Sequence, residues 1–271
     1  MPSTPIIWPL RAWFFVELFF GTAASLSVGL RPAETASNFA WTVKPPVMAA
    51  MFGGFYMALV PVVILLLFAR RWQMVRVFVL PGVVFTFTLL IVTFWHWDRF
   101  AIGTAAFNIW FASYLLPPPV LLACYLWQQR RAAKVTPEVP LARWQLLAAT
   151  SLGLLFTLEA VIGLFHPAWF GDWAPWKITP LNGRALSAYF LLPGLLLLSI
   201  ARENDRDRVR ILSPFLVLLL PLIAIQLLRF STEVDWTHPR IYFTAVLLGL
   251  VMLLGISLFM GSWRKTLGRE H

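Results

Sequence analysis

The chain is poor in charge, poorest in acid, and almost without cysteine. Only 13% of its 271 residues are charged, and just 12 are Asp or Glu, where a soluble domain carries about 25% charged residues. With 59% of residues hydrophobic, a single water-soluble core has no room for the apolar surface, which excludes an ordinary soluble domain. The one cysteine, Cys124, excludes an internal disulfide and any cysteine-built metal cluster. Signatures of soluble enzymes are missing too: there is no G-x-x-x-x-G-K-[ST], no G-x-G-x-x-G and no G-x-S-x-G.

What the chain has instead is long apolar runs, with a mean hydropathy of +0.75. They predict eight helices, at about Leu10 to Leu30, Pro46 to Ala69, Val75 to Trp95 and Thr104 to Trp127, then Trp144 to Phe165, Gly183 to Ile200, Val209 to Phe230 and Ile241 to Trp263. Each has close to the ~20 residues that cross ~30 Å of hydrocarbon. The expected fold is therefore an all-α integral membrane protein, with the lipid bilayer as its first partner. Glu17 inside the first run argues against a cleaved signal peptide.

The net charge of +10 is a matter of topology. About fifteen of the 22 Lys and Arg sit at one set of alternate helix ends, among them Arg11, Arg70, Arg71, Arg130, Arg131, Lys134, Arg143, Arg202, Arg264, Lys265 and Arg269, as the positive-inside bias requires. This places both termini on the cytoplasmic side of a bacterial inner membrane. No aromatic-basic module accompanies the charge, so no nucleic-acid partner is expected.

The chain also repeats itself. Trp41-Thr42-Val43-Lys44-Pro45, then Ala50, Phe55, Pro61, Arg70, Val75-Arg76 and Pro81, return as Trp176-Lys177-Ile178-Thr179-Pro180, then Ala185, Phe190, Pro193, Arg202, Val209-Arg210 and Pro214. The spacing stays near ~134 residues, the kind of self-similarity that marks internal duplication. Residues 1–127 and 144–271 are then two four-helix repeats, joined by a polar cytoplasmic linker at 128–143. An even unit re-enters the bilayer in the same direction, so the repeats are expected to be parallel. Ile178 to Arg184, I-T-P-L-x-x-R, resembles a motif of uncharacterised polytopic bacterial membrane proteins. The resemblance implies no activity, and the first copy departs from it, with Ala49 in place of the arginine.

Glu17 and Glu159 are the two acids well inside apolar runs, each followed four residues later by glycine (Gly21, Gly163), and they read as matching places in the repeats. A carboxylate there must be paired, protonated or in a wet cavity. The simpler reading is a structural bridge, with Lys44, Arg184 and Arg229 as available charge partners. The sharper one is an ion or proton site at the repeat interface. Pro117-Pro118-Pro119 should break helix 4, because three amide donors are missing. The break either fits the helix around its neighbours or lines a pathway, with Asn108 nearby.

His96, His166 and His238 fall at the outer helix ends. They come from separate loops and lack H-E-x-x-H spacing, so neither a metal nor any other cofactor is expected. Trp169, Trp173, Trp176 and Trp236 belong to an outer aromatic belt and offer a docking face for a membrane-protein partner or a second copy. The run Arg202 to Arg208 alternates in sign and reads as a self-paired, solvated turn. Three functions stay open: a small transporter or channel, a non-catalytic subunit of a larger membrane complex, and a membrane enzyme or binding protein for a lipid or quinone. Enzymatic activity is the least supported.

Overall fold

The structure is a computed structural model describing residues 4–133 and 135–260. Lys134, Trp263, Arg264, Lys265, Arg269 and His271 lie outside the described residues, as does the side chain of Trp173. All regular secondary structure among the described residues is helical. Eight helices are long and apolar enough to cross a membrane: α1 (Trp8–Leu30), α2 (Pro46–Phe68), α3 (Trp72–Trp95), α4 (Ala105–Arg131), α5 (Arg143–Phe165), α6 (Pro180–Glu203), α7 (Arg206–Arg229) and α8 (Pro239–Met260). Every start falls within three residues of its expected place.

Local chemistry sets those starts. Proline opens α2 and α6, where its fixed φ suits the first turn and its missing N–H is no loss. Thr104 and Thr179 cap α4 and α6, their Oγ1 atoms accepting from Phe107 N at 3.2 Å and Asn182 N at 3.3 Å. Asn204, in the left-handed region at φ 46°, ends α6.

The helices close into a ring of neighbours. α1 lies along α2, α2 along α7 and α7 along α8; α5 lies along α6, α6 along α3 and α3 along α4. Lighter contacts between α4 and α1, and between α8 and α5, complete it. Outward faces carry exposed Phe15, Phe19, Leu154, Leu158, Val246 and Leu253, a surface suited to lipid. Lipid gives helices little hydrophobic reason to associate, so close packing of small residues does much of that work. Where α1 crosses α2, a methyl group on Gly53 would collide with the backbone of Gly29.

One expectation fails at the basic end of the ring, where α2 ends and α3 begins. The turn between α6 and α7 is not solvated: Asp205 is 1% exposed and Arg208 7%. Arg208 reaches Glu203 (3.0 Å), Asp205 (3.2 Å) and the carbonyl of Thr136 (2.5 Å), and Glu203 also takes Arg76 of α3 at 2.9 Å and 2.5 Å. The reason is the linker, which lies over the turn: Asp205 accepts from Glu138 N at 2.7 Å, and Arg206 N donates to Val139 O at 2.9 Å. The charges pair across elements that the local sequence does not connect.

Gly53→Ala should force α1 and α2 apart and lower stability by about 1–3 kcal/mol. Gly249→Ala, with open space around it, should be neutral. Thermal unfolding in detergent of the two variants beside wild type checks this.

Candidate functional site

Glu17 lies nine residues after the start of α1. Trp13, one turn earlier on the same face, donates its Nε1–H to Glu17 Oε1 at 2.9 Å. The carboxylate is partly buried, and among the described residues no cation lies within ion-pair distance of it. It borders a cavity of about 170 Å³ lined mainly by α1, α2, α3 and α4, with Leu192 of α6 also contributing. Gly21, Ala24 and Ser27 continue the α1 wall, Tyr56 comes from α2, Thr86 from α3, and Ala106, Trp110, Ser113 and Tyr114 from α4.

Tyr56 and Tyr114 belong to a buried hydroxyl cluster. Their oxygens are 2.5 Å apart, and Tyr189 of α6 donates to Tyr56 at 2.6 Å. Phe52 stacks on Tyr189 at 4.4 Å, and Phe55 meets it edge-on at 4.8 Å. This cluster joins α2, α4 and α6 behind the cavity.

The triple proline acts where the sequence places it. The first segment of α4 ends at Leu115 and the second begins at Pro117, with Leu116 as the joint. The carbonyls of Ser113, Tyr114 and Leu115 lose their usual donors, and the first two of these residues line the cavity. Such backbone is tolerated in a membrane where it is buried or faces a cavity. Pro117 and Pro118 are buried and Pro119 is exposed, and none of the three lines the cavity. Asn108 does not join the site, because it is exposed on the other side of α4.

Several expectations about charge are corrected. Glu159, 5% exposed, pairs with Arg240 in the first turn of α8, and neither Arg184 nor Arg229 is its partner. Those two serve helix ends. Arg184 donates to Leu164 O at 3.1 Å, and Arg229 donates to Gly29 O at 2.6 Å and Leu30 O at 3.2 Å. Unmatched C-terminal carbonyls hold these cations. Lys44 is exposed, and no ion pair involves it among the described residues.

The two glutamates are not at matching depths either. Glu159 lies sixteen residues after the start of α5, against nine for Glu17, a difference of two turns or ~10 Å. Nor do they face the contacts between halves: Glu17 sits among the first four helices, and Glu159 faces α8. One is a bridge, the other is open. Gly163 makes room for Phe170, whereas Gly21 faces the cavity.

The histidines stay apart. His96 Nε2 lies 2.9 Å from Arg184 Nη1, His238 Nδ1 accepts from Arg240 N at 3.2 Å, and His166 is exposed. Among the described residues no three His, Cys, Asp or Glu side chains gather as a metal would need. Trp169 and Trp176 pack against the protein's own core, while Trp236 is exposed and donates to Ser231 O at 2.9 Å. Trp13, Tyr56, Tyr114, Tyr189 and Arg240 were not expected at a site. The i, i+4 spacing of Trp13 and Glu17 was the one available signal.

Removing one partner of a buried ion pair costs about 3–5 kcal/mol, so Arg240→Ala should lower stability by that order while Glu17→Gln leaves it unchanged. Unfolding of both variants in one detergent decides it. A pH effect follows from His96, whose pKa burial, assisted by the Arg184 charge, holds below the ordinary 6.5. The native ring releases its proton more readily than the unfolded one. Its contribution to stability is therefore present above about pH 6.5 and is lost as pH falls through the lowered native value. Wild type should lose more thermal stability than His96→Gln on acidification from about pH 7.5 to 5, and equal losses would refute the assignment. No protein-family profile matches the chain, and no curated protein or solved structure matches it.

Proposed function

We propose that the protein is a small transporter or channel of the bacterial cytoplasmic membrane, with its ion or proton site at Glu17. The observation that carries this reading is the carboxylate without a cation, set in a cavity beside a broken helix. A carboxylate held in hydrocarbon without a partner is costly, and a protein that needs only a bridge supplies an arginine, as it does for Glu159. A cavity walled partly by interrupted helix is also how membrane carriers build sites near the middle of the bilayer.

The architecture fits a carrier of two parallel four-helix repeats. α5 to α8 begin 134 or 135 residues after α1 to α4. Each main contact has a counterpart four helices on: α1–α2 with α5–α6, α3–α4 with α7–α8, and α2–α7 with α6–α3. The excess of arginine at the basic end supports a cytoplasmic placing of that end and of both termini. The subunit reading is weaker, because Trp169 and Trp176 turn toward the protein's own core.

Proton or cation flux into proteoliposomes, followed with a trapped pH or ion dye, tests the proposal. Wild type should exceed empty vesicles, and Glu17→Gln should fall to their level without losing its fold. Wild-type flux no greater than that of empty vesicles would overturn transport.

A further inference from the structure

The cavity stands where the other half of the protein keeps an ion pair. Glu159 on α5 is buried and is joined to the partly buried Arg240 at the start of α8. α5 begins 135 residues after α1, and α8 begins 134 after α4, so the same depth in the first half belongs to Ala24 and Ala106. Both alanines line the cavity. Two small side chains replace a carboxylate and a guanidinium, and the volume those would fill is left open. Two turns along the same face of α1, Glu17 retains a carboxylate. The first half thus holds an acid and, in the same cavity two turns away, the space that the second half fills with an ion pair.

We infer that this cavity binds a small organic cation: a primary ammonium or guanidinium group on an apolar body about the size of a benzene ring. The inference rests on reading the cavity as the protein's binding site, and it names the class of ligand. Trp13 occupies Oε1 of Glu17, and a ligand ammonium would supply the charge that no side chain among the described residues does. Phe14, Phe85, Trp110 and Tyr114 contribute aromatic surface, which attracts cations through the negative face of each ring. The volume of about 170 Å³ compares with an engineered apolar cavity of about 150 Å³ that holds benzene. The hydroxyls of Tyr56 and Tyr114 are already engaged with each other, so the charge of Glu17 is what favours a cation over a neutral ligand of the same shape.

The test uses the full-length protein in detergent, with benzylammonium as probe and benzyl alcohol as its neutral counterpart, read as the shift in unfolding temperature. Benzylammonium should raise the unfolding temperature of wild type by several degrees more than benzyl alcohol does, and that difference should vanish in Glu17→Gln. The double variant Ala24→Glu with Ala106→Arg, which installs the ion pair of the second half, should lose the response although Glu17 is untouched. If that variant fails to fold, Ala106→Met fills the same space without charge and should also lose it. Equal stabilisation of wild type by both probes, a preference for benzylammonium that survives in Glu17→Gln, or no response in wild type would each overturn the cation class. The flux measurement separates the two ideas. Glu17-dependent proton flux without benzylammonium binding would leave transport standing and this inference refuted, and the reverse result would leave the site and remove transport.

Discussion

The last carbonyls of a helix have no donors within it, and three arginines here are committed to supplying them. Arg11 donates to Leu67 O and Ala69 O at 3.1 Å and 2.9 Å, finishing α2. Arg184 finishes α5, and Arg229 finishes α1. A buried carbonyl left without a donor costs about 1–3 kcal/mol, and Gly29 and Ala69 are buried. The rest of the charge arrangement depends on this commitment. With Arg184 and Arg229 fixed on the backbone, Glu159 is matched by Arg240, and among the described residues Glu17 has no cation within ion-pair distance.

The aromatic core then decides where an open space can exist. Phe52, Phe55, Phe85 and Tyr189 pack ring against ring, and Trp41 reaches across from the first half to donate to Asn182 Oδ1 at 3.0 Å. These contacts fill the centre, where α2 and α3 of one half meet α6 and α7 of the other. The cavity is displaced to the side of α1, which packs mainly on one neighbour. A rigid centre and a lightly covered flank are a reasonable division between holding a shape and admitting a ligand.

The eight spans were legible because length and hydropathy act locally, and a run of twenty apolar residues has few other uses. Glu17 was legible for the same reason, as an acid where acids are costly. Its lack of a partner was not, since that depends on where Arg184 and Arg229 point. The apparent match of Glu17 with Glu159 came from aligning each acid with the glycine four residues on. Helix starts, which fix depth, put the two acids two turns apart. Arg240 carried no signal of its role, because its contact with Glu159 joins residues 81 apart in the chain. The tyrosine cluster was hidden more deeply: Tyr56 meets partners 58 and 133 residues away, and an isolated tyrosine in an apolar run carries no sign of what it will touch. The buried turn at Asp205 was misjudged because the covering element is the linker, whose polar composition predicts only that it is outside the membrane.

Arg229 follows Gly29 by 200 residues, yet its guanidinium completes the helix that Gly29 ends. The chain is made from its N-terminus, so the end of α1 exists long before the group that satisfies it. Until the seventh helix has been synthesised and has docked, the carbonyls of Gly29 and Leu30 must find other donors. A helix made early is thus finished late, and any truncation before Arg229 leaves it incomplete.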